Sequence, residues 1–263
     1  MKAIVMAGGE GTRLRPLTSN TPKPMVKIMD RPVLEHIISL LRKNGISDIC
    51  MTLRYMPEKI TEYFKDGSDF GVNITYSIES SPLGTAGSVK NCADFIGNDD
   101  FIVISGDCVC NFDLKSAFAF HKSNRALSTI VLYSCTDPLE YGLVVTDDSG
   151  KVMKFIEKPG WDGVVTNLVN TGIYIMSPRA LRFIPENSPY DFGKDFFPDI
   201  LRQGENIYAT ESKGYWCDVG SVTSYLDCLR KSLSQKTGIE PNIKQLGDRI
   251  WCCSPLPDST TVI

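Results

Sequence analysis

Residues 2–18 read KAIVMAGGEGTRLRPLT, a short apolar run that opens into a glycine cluster and two arginines. The run Lys2–Met6 contains β-branched residues and predicts a β-strand. The glycines that follow let backbone N–H groups approach an anion with no side chain in between. Arg13 and Arg15 place two guanidinium groups in this loop, and Lys23 follows in the segment PKPM. This combination predicts a phosphate-binding loop after a first strand.

Two common phosphate-binding loops do not fit this spacing. A Walker loop needs a lysine directly after its last glycine, but no lysine follows Gly8, Gly9 or Gly11 in that way. A dinucleotide fingerprint needs G-x-G-x-x-G, and Leu14 stands where the third glycine belongs. The loop therefore belongs to another class of anion site.

The first 135 residues alternate apolar strands with helices. The predicted strands are Lys2–Met6, Asp48–Leu53, Val72–Ile78, Phe101–Ser105 and Leu127–Ser134. The predicted helices are Pro32–Lys43, Pro57–Lys65, Ala86–Ile96 and Leu114–Lys122. Such alternation predicts an α/β fold with a parallel sheet covered by helices on both faces.

The second half of the chain has a different pattern. Strands separated by polar turns predict an antiparallel addition to the sheet, at Gly142–Thr146, Val152–Glu157 and Thr171–Met176. Later elements are predicted as helical segments near Pro178–Phe183 and Phe196–Gln203, strands at Tyr208–Glu211 and Tyr215–Val219, and a helix at Val222–Leu233. Residues 234–263 show no periodicity, so no regular element is expected there.

Composition excludes several classes of protein. The 263 residues carry 28 basic and 31 acidic side chains, for a net charge of −3, and 42% are hydrophobic. Disorder would require lower hydrophobicity together with a higher net charge. A weakly acidic chain is a poor candidate for general nucleic-acid binding, and no stretch approaches the ~20 apolar residues of a membrane span. With no signal-peptide pattern at the start, a soluble, cytoplasmic protein is expected.

The nine cysteines are predicted to be buried thiols. Their number is odd and no C-x-x-C occurs. The close pairs Cys108/Cys110 and Cys252/Cys253 lack the spacer of a zinc site. Most of the cysteines lie in apolar runs, where a free thiol packs like a small hydrophobic group.

The glycine-rich stretch and PKPM resemble the signature of the sugar-phosphate nucleotidyltransferases, also called nucleotide-sugar pyrophosphorylases. Further stretches resemble other motifs of this family, in the family's order, over about residues 1–232. They are LGTAG at 83–87, SGD at 105–107, EYG at 140–142, FIEKP at 155–159, NTGIY at 170–174 and WCDVG at 216–220. The resemblance implies a Rossmann-like, three-layer α/β fold, with a mixed, mostly parallel sheet and an added antiparallel sugar-binding portion.

The resemblance also implies an enzyme that transfers a nucleoside monophosphate from a nucleoside triphosphate to a sugar 1-phosphate, with Mg²⁺ as cofactor. The implied catalytic residues are Arg13, Lys23 and Asp107, and the implied metal ligands are Asp107 and Asp218. The implied nucleotide-binding residues are Ala7, Gly8, Gly9, Gly11, Thr12, Arg13, Glu79, Gly84 and Thr85. The implied sugar-phosphate contacts are Gly142, Glu157, Lys158, Asn170 and Gly172. For Arg15, a phosphate contact and a solvated side chain both stay open.

The choice of base depends on hydrogen bonding. Guanine offers two adjacent donors that one carboxylate can accept together, whereas uracil and thymine alternate donor and acceptor and suit an amide. Glu79 lies five residues before Gly84, near a position where uridylyl and thymidylyl relatives usually carry glutamine. The sequence therefore favours GTP, and the LGTAG loop resembles mannose-1-phosphate guanylyltransferases. A glucose-1-phosphate uridylyl- or thymidylyltransferase is the alternative.

The resemblance divides the chain into a catalytic domain, residues 1–233, and a C-terminal extension, residues 234–263. In many relatives a hexapeptide-repeat β-helix domain begins here. Two interpretations of the extension stay open, the approach to such a domain and the extended tail of a short family member. A non-catalytic regulatory module that binds nucleotide sugars is the alternative from another class. Such relatives usually lose charged groups that are retained here, namely Arg13, Lys23, Asp107, Lys158 and Asp218. No nucleic-acid or membrane partner is expected, and a homo-oligomer stays open.

Overall fold

The computed structural model describes residues 1–239, 244–247 and 250–252. Its strands are β1 Lys2–Met6, β2 Lys27–Ile28, β3 Arg31–Pro32, β4 Asp48–Leu53, β5 Asn73–Ile78, β6 Phe101–Ser105, β7 Cys108–Cys110, β8 Ser128–Ser134, β9 Leu143–Thr146, β10 Val152–Ile156, β11 Leu168–Met176, β12 Ile207–Glu211, β13 Trp216–Asp218, β14 Lys244–Gly247 and β15 Ile250–Cys252. Its α-helices are α1 Val33–Lys43, α2 Pro57–Phe64, α3 Gly84–Lys90, α4 Ala93–Ile96, α5 Leu114–Asn124, α6 Phe197–Arg202 and α7 Val222–Leu233.

Four parallel strands, in the order β5-β4-β1-β6, form one side of a nine-stranded sheet. Alternate residues of β1 point to opposite faces, as strand geometry requires. Ala3 and Val5 belong to a core that includes α1, whereas Ile4 belongs to a second core that includes α3. Helices thus cover both faces, which confirms the predicted α/β class.

The strand order reverses at β1. From β1 the chain moves outward through β4 to β5, and β6 then pairs with the other side of β1. Ligands in open α/β sheets bind at such a switch point, beyond the carboxyl ends of the strands. The glycine-rich loop follows β1, and the segment Ser105-Gly106-Asp107 follows β6 at the same edge. The topology therefore places both motifs at this edge.

The rest of the large sheet is mainly antiparallel. Strand β11 pairs antiparallel with β6, β8 and β9, and β9 pairs antiparallel with β10. Strand β12 adds a parallel edge to β8. The antiparallel addition predicted for the second half of the chain is confirmed.

A separate two-stranded ribbon joins distant parts of the sequence. Strands β7 and β13 pair antiparallel, with Cys108 opposite Asp218. The backbone N–H of Val219 donates to the carbonyl of Asp107 at 3.0 Å. The ribbon therefore holds Asp218 beside Asp107.

Some elements differ from those predicted. The predicted helix 86–96 is two helices, α3 and α4, because the backbone leaves helical geometry at Cys92. Residues Pro178–Phe183 form a 3₁₀ helix, and a π-helical turn, Phe192–Phe196, precedes α6. The expectation of no regular element after residue 233 is wrong, since β14 and β15 pair there. These strands are too short for alternation to stand out in the sequence.

The described cysteines agree with the predicted free thiols, although two of them, Cys135 and Cys217, are only half-buried. All seven cysteines whose side chains are described are free thiols, and five of them are buried. Cys252 and Cys253 lie outside the residues whose side chains are described. Within the described part of the chain, no helix is long and apolar enough to cross a bilayer.

Candidate active site

The glycine-rich loop folds over Lys23. Gly11 has a φ of +71°, a left-handed conformation that favours glycine. A Cβ atom at Gly11 would lie 2.8 Å from Cβ of Lys23, so a side chain there would collide with the lysine stem. The Thr18 hydroxyl donates to the Gly11 carbonyl at 2.7 Å and closes the loop. The loop and Lys23 therefore pack as one unit.

Lys23 lies between two aspartates. Its ammonium donates to Oδ2 of Asp107 and, at 3.2 Å, to Oδ1 of Asp218. The side chains of Lys23, Asp107 and Asp218 are only 12%, 25% and 27% exposed. The Ser105 hydroxyl donates to the second oxygen of Asp107 at 2.5 Å. We call Lys23, Asp107 and Asp218 the carboxylate centre.

Burial and charge act in opposite directions within the carboxylate centre. Burial disfavours ionised Asp107, but the adjacent ammonium and the hydrogen bonds it receives lower the pKa of this carboxyl. Burial, together with the negative charge of Asp107, raises the pKa of Asp218. Burial alone would lower the pKa of Lys23, but the two carboxylates raise it. Lys23 therefore carries its charge at neutral pH.

Arg13 is an exposed residue of the site. It follows Gly11 in the 3₁₀ turn Thr12–Leu14, and its Nη1 pairs with Oε2 of Glu140 at 3.3 Å. Its positive charge also acts on Asp218 and lowers that carboxyl's pKa in part. Arg15 pairs instead with Oε1 of Glu10 at 2.8 Å.

A cleft of about 270 Å³ joins these groups to the predicted sugar-phosphate residues. Its lining includes every predicted catalytic, metal and sugar-phosphate residue, namely Arg13, Lys23, Asp107, Gly142, Glu157, Lys158, Asn170, Gly172 and Asp218. Ser105, Cys108, Glu140, Tyr141, Thr171 and Trp216 complete it. The fold thus brings together residues from six separate motifs of the sequence.

The Glu157 carboxylate is held between two glycines. A Cβ atom at Gly142 would lie 2.9 Å from Oε2 of Glu157, and one at Gly193 only 2.5 Å from it. Burial raises the pKa of Glu157, and the nearby negative charge of Asp191 adds to this shift. The neighbouring Lys158 has a φ of +41°, an uncommon conformation outside glycine. Such strain is frequent at ligand-binding positions.

Asn170 shapes a bend beside the carboxylate centre. Its Oδ1 accepts from the Gly172 N–H at 3.0 Å, and its Nδ2 donates to the Tyr174 hydroxyl at 3.0 Å. Gly172 has a φ of +75°, and a Cβ atom there would lie 3.1 Å from Cβ of Ser105. The bend therefore packs against the strand end that carries Asp107. A direct sugar contact by Asn170 stays a prediction.

The predicted base-side residues lie outside the cleft lining, after β5 and at the start of α3. Oε2 of Glu79 accepts from the Leu83 N–H at 3.4 Å, and burial raises the pKa of Glu79. Gly84 has a φ of +71°, and a Cβ atom there would lie 2.6 Å from the Tyr190 carbonyl oxygen. The 83–87 loop is thus packed tightly against the segment around Tyr190.

The other predicted nucleotide contacts differ in accessibility. Ala7 is buried, and its N–H donates to the Thr52 carbonyl at 3.0 Å. Gly8 is half-buried, whereas Gly9 and Thr12 are exposed. A Cβ atom at Gly9 would meet open space. The exposed side of the loop is thus the part that a phosphate can reach.

Asp191 is a further residue beside the site that was not predicted from the sequence. Its Oδ2 accepts from the Thr85 hydroxyl at 2.8 Å, and the same hydroxyl accepts from the Phe192 N–H at 2.9 Å. Its Oδ1 accepts from the Gly193 N–H at 2.9 Å, which caps the π-helical turn. An aspartate before a helical segment is a cap signal, but its contact with Thr85 depends on the tertiary fold. Asp191 therefore links the 83–87 loop to the segment beside Glu157.

A family model described as Nucleotidyl transferase matches residues 2–235. The chain belongs to the nucleotidyl transferase family. The UTP--glucose-1-phosphate uridylyltransferase of Synechocystis sp. is 38% identical over 249 residues, which is 90% of this chain and 64% of that protein. The mannose-1-phosphate guanyltransferase of Yarrowia lipolytica is 38% identical over 243 residues, 90% of this chain and 66% of that protein. The chain thus spans just under two thirds of the length of these family members.

A solved structure shares the fold. The crystal structure of HddC from Yersinia pseudotuberculosis complexed with GMP-PN matches with a TM-score of 0.75 and 29% identity. The match covers 88% of this chain and 99% of that chain. The family model and the named relatives confirm the resemblance to sugar-phosphate nucleotidyltransferases. The structural match agrees with the Rossmann-like fold that the resemblance implies.

Proposed function

We propose that the protein transfers a nucleoside monophosphate from a nucleoside triphosphate to a sugar 1-phosphate and releases pyrophosphate. GTP and mannose 1-phosphate are the proposed substrates. One observation carries the proposal: the carboxylate centre and Arg13 line the same cleft as Glu157 and Lys158. The cleft therefore offers cations for phosphates beside a carboxylate for sugar hydroxyls.

The proposed reaction joins two anions. A phosphate oxygen of the sugar 1-phosphate attacks the α-phosphorus of the triphosphate, and the bond to pyrophosphate breaks. Positioning and charge neutralisation therefore supply most of the catalysis. Arg13 is placed to bind the triphosphate bidentately, since guanidinium geometry matches phosphate oxygens. Lys158 holds the sugar phosphate, and Lys23 approaches the transferred phosphate.

The carboxylate centre fits a divalent cation. Oδ2 of Asp107 and Oδ1 of Asp218 both accept from the ammonium of Lys23, so the two oxygens face one position. Mg²⁺ prefers one or two carboxylates completed by substrate phosphates and water. A Mg²⁺ ion held by Asp107 and Asp218 would neutralise charge that develops on the phosphates during transfer.

Two observations support GTP. Glu79 presents a carboxylate beside the 83–87 loop, as two adjacent guanine donors require. The Yarrowia lipolytica relative is named a guanyltransferase, and the HddC structure contains GMP-PN. The Synechocystis relative, at the same 38% identity, is named a uridylyltransferase. UTP with glucose 1-phosphate is therefore the second candidate pair.

Pyrophosphate release tests the proposal, with GTP, UTP, dTTP, ATP and CTP each combined with mannose 1-phosphate and glucose 1-phosphate. Turnover with GTP and mannose 1-phosphate is the expected result. Rapid use of UTP without GTP turnover would reject the choice of base. Nucleotide-sugar binding with no turnover for any pair would favour the regulatory module.

A variant at Glu79 sharpens the choice of base. Glu79→Gln removes the carboxylate that accepts from guanine, so the GTP-to-UTP ratio of kcat/KM is expected to fall by roughly 10–100-fold. Glu62→Gln, on the exposed side of α2, is the matched control and should leave the ratio unchanged. An unchanged ratio in Glu79→Gln would remove Glu79 from base recognition.

A further inference from the structure

The ammonium of Lys23 occupies the point where the two proposed metal ligands converge. It contacts Oδ2 of Asp107 and lies 3.2 Å from Oδ1 of Asp218. Two carboxylates this close repel each other unless a positive charge lies between them. In the described structure the lysine therefore does electrostatically what a bound cation would do.

The backbone and Cβ of Lys23 are held in place, whereas the rest of its side chain can rotate. Lys23 begins the 3₁₀ turn Lys23–Met25 between the buried prolines Pro22 and Pro24, and its Cβ packs against Gly11. A lysine carries its charge on a flexible four-carbon stem. The ammonium can therefore leave the carboxylates by side-chain rotation, with the backbone unchanged.

We propose that Lys23 is an internal placeholder for the divalent cation. Its ammonium neutralises Asp107 and Asp218 in the metal-free protein and must leave this position when the cation binds. The displaced ammonium is then free to contact the phosphate beside the centre. The inference rests on the proposed function, because it takes Asp107 and Asp218 as the metal ligands.

If Lys23 competes with the cation, its removal should change metal affinity in the direction opposite to that expected for a supporting role. If Lys23 only helped to build a metal site, its removal would weaken metal binding. If it competes for the same carboxylates, its removal leaves two unneutralised charges that attract a cation more strongly. An uncharged residue at position 23 should therefore increase metal affinity while it abolishes turnover.

The test is a titration of chelator-treated protein with Mn²⁺ alone. Electron paramagnetic resonance measures the free ion and so gives the Kd. Lys23→Met removes the charge with little change in side-chain length. Its Kd for Mn²⁺ is expected to fall on the order of tenfold relative to the unaltered protein. Lys158→Met is the matched control, because Lys158 lines the same cleft and is exposed. This control should change the Kd by less than about twofold.

Two further variants locate the effect. Asp218→Asn in the Lys23→Met background should abolish the gain in affinity, because one of the two ligands is lost. Lys23→Gln also lacks the charge but keeps a hydrogen-bond donor, and it should show the same gain if Lys23→Met does not fold. Mn²⁺ should also raise the melting temperature of Lys23→Met more than that of the unaltered protein.

The outcomes separate this inference from the proposed function. Unchanged or weaker Mn²⁺ binding in both folded Lys23 variants overturns the placeholder role, even if GTP turnover is observed. An equal gain in Lys158→Met also overturns it, since that result indicates a general effect of charge. Tighter binding in the Lys23 variants, with no nucleotidyl transfer by the unaltered protein, leaves this inference standing and rejects the proposed function.

Discussion

Two charged clusters of the cleft use similar groups in different surroundings. In the carboxylate centre, Lys23, Asp107 and Asp218 are 12%, 25% and 27% exposed, whereas the side chains of the Arg13–Glu140 pair are 58% and 70% exposed. Exposed ion pairs are screened by water and contribute about 0–1 kcal/mol. Removing one partner of a buried pair leaves an uncompensated charge and costs far more.

The difference follows from the elements that carry each cluster. The carbonyl of Asp107 accepts from the Val219 N–H, and Asp218 ends β13, so both lie on hydrogen-bonded backbone. Arg13 and Glu140 lie outside the strands, in the glycine-rich loop and in the connection before β9. The buried cluster therefore fixes geometry and charge, whereas the exposed pair can separate easily.

The largest expected effect comes from the buried cluster. Asp107→Asn keeps the shape of the side chain but removes its charge, so kcat is expected to fall by about 10³-fold. Pyrophosphate release measures the loss, and circular dichroism checks that the fold is retained. Asp69→Asn, at an exposed position, is the control and should leave kcat unchanged. Near-normal turnover in Asp107→Asn and Asp218→Asn would remove both residues from the metal site.

A substitution in the exposed Arg13–Glu140 pair should cost less activity than Asp107→Asn and almost no stability. Arg13→Ala should lower kcat/KM by roughly 10²-fold, because it removes a bidentate contact to the triphosphate. Its melting temperature should stay close to that of the unaltered protein, since only an exposed ion pair is lost. Arg15→Ala, which breaks the pair with Glu10, is the matched variant. Equal losses in the two variants would contradict the separate role of Arg13.

A change beside Glu157 should affect one substrate only. In Gly193→Ala the new Cβ atom would lie 2.5 Å from Oε2 of Glu157, so this carboxylate must shift. The KM for sugar 1-phosphate is expected to rise by about tenfold, while the KM for GTP changes little. Gly160→Ala, where a Cβ atom meets open space, is the control. A parallel rise in both KM values would point to general distortion of the cleft.

The pH dependence of sugar 1-phosphate binding should report the protonation of Glu157. Burial and Asp191 raise the pKa of Glu157, so it is protonated at a higher pH than an ordinary glutamate, whose pKa is about 4.3. Affinity for sugar 1-phosphate should therefore fall as the pH drops through the raised pKa. Glu157→Gln should lack this decrease, and any slope that persists belongs to the sugar phosphate itself.

The raised pKa of Glu157 also predicts how the free energy of unfolding changes with pH. The folded protein holds the Glu157 proton more tightly than the unfolded chain does. The contribution of Glu157 to the unfolding free energy therefore decreases as the pH rises from its ordinary pKa through the raised one. Urea unfolding at several pH values, with Glu157→Gln as reference, measures this slope. An identical slope in the two proteins would contradict the shifted pKa.

The smallest effect is expected for Glu140→Gln. Breaking an exposed ion pair should change the unfolding free energy by less than about 1 kcal/mol and kcat/KM by less than about threefold. The comparison with Arg13→Ala is informative, because both variants break the same ion pair. A large loss in Glu140→Gln would show that Glu140 itself has a role in the reaction.

Sequence reasoning succeeded where the signal was local. The strand and loop at residues 2–18 and the buried strand Phe101–Ser105 flank the switch point of the sheet. Each of them is visible in the sequence as a short pattern. The break between α3 and α4 was missed because no glycine or proline marks residues 91 and 92. The π-helical turn Phe192–Phe196 was also missed. The contacts of Asp191 with Thr85 and of Gly193 with Glu157 join distant segments, so no spacing rule reveals them.

The ribbon of β7 and β13 has a consequence for the order in which the protein is made. Asp107 and Lys23 are synthesised early, but Asp218 pairs with this region only after the chain has passed β12. Long-range pairings form late, since loop closure must precede them. A growing chain therefore holds the glycine-rich loop and most of the parallel sheet before it has a complete carboxylate centre.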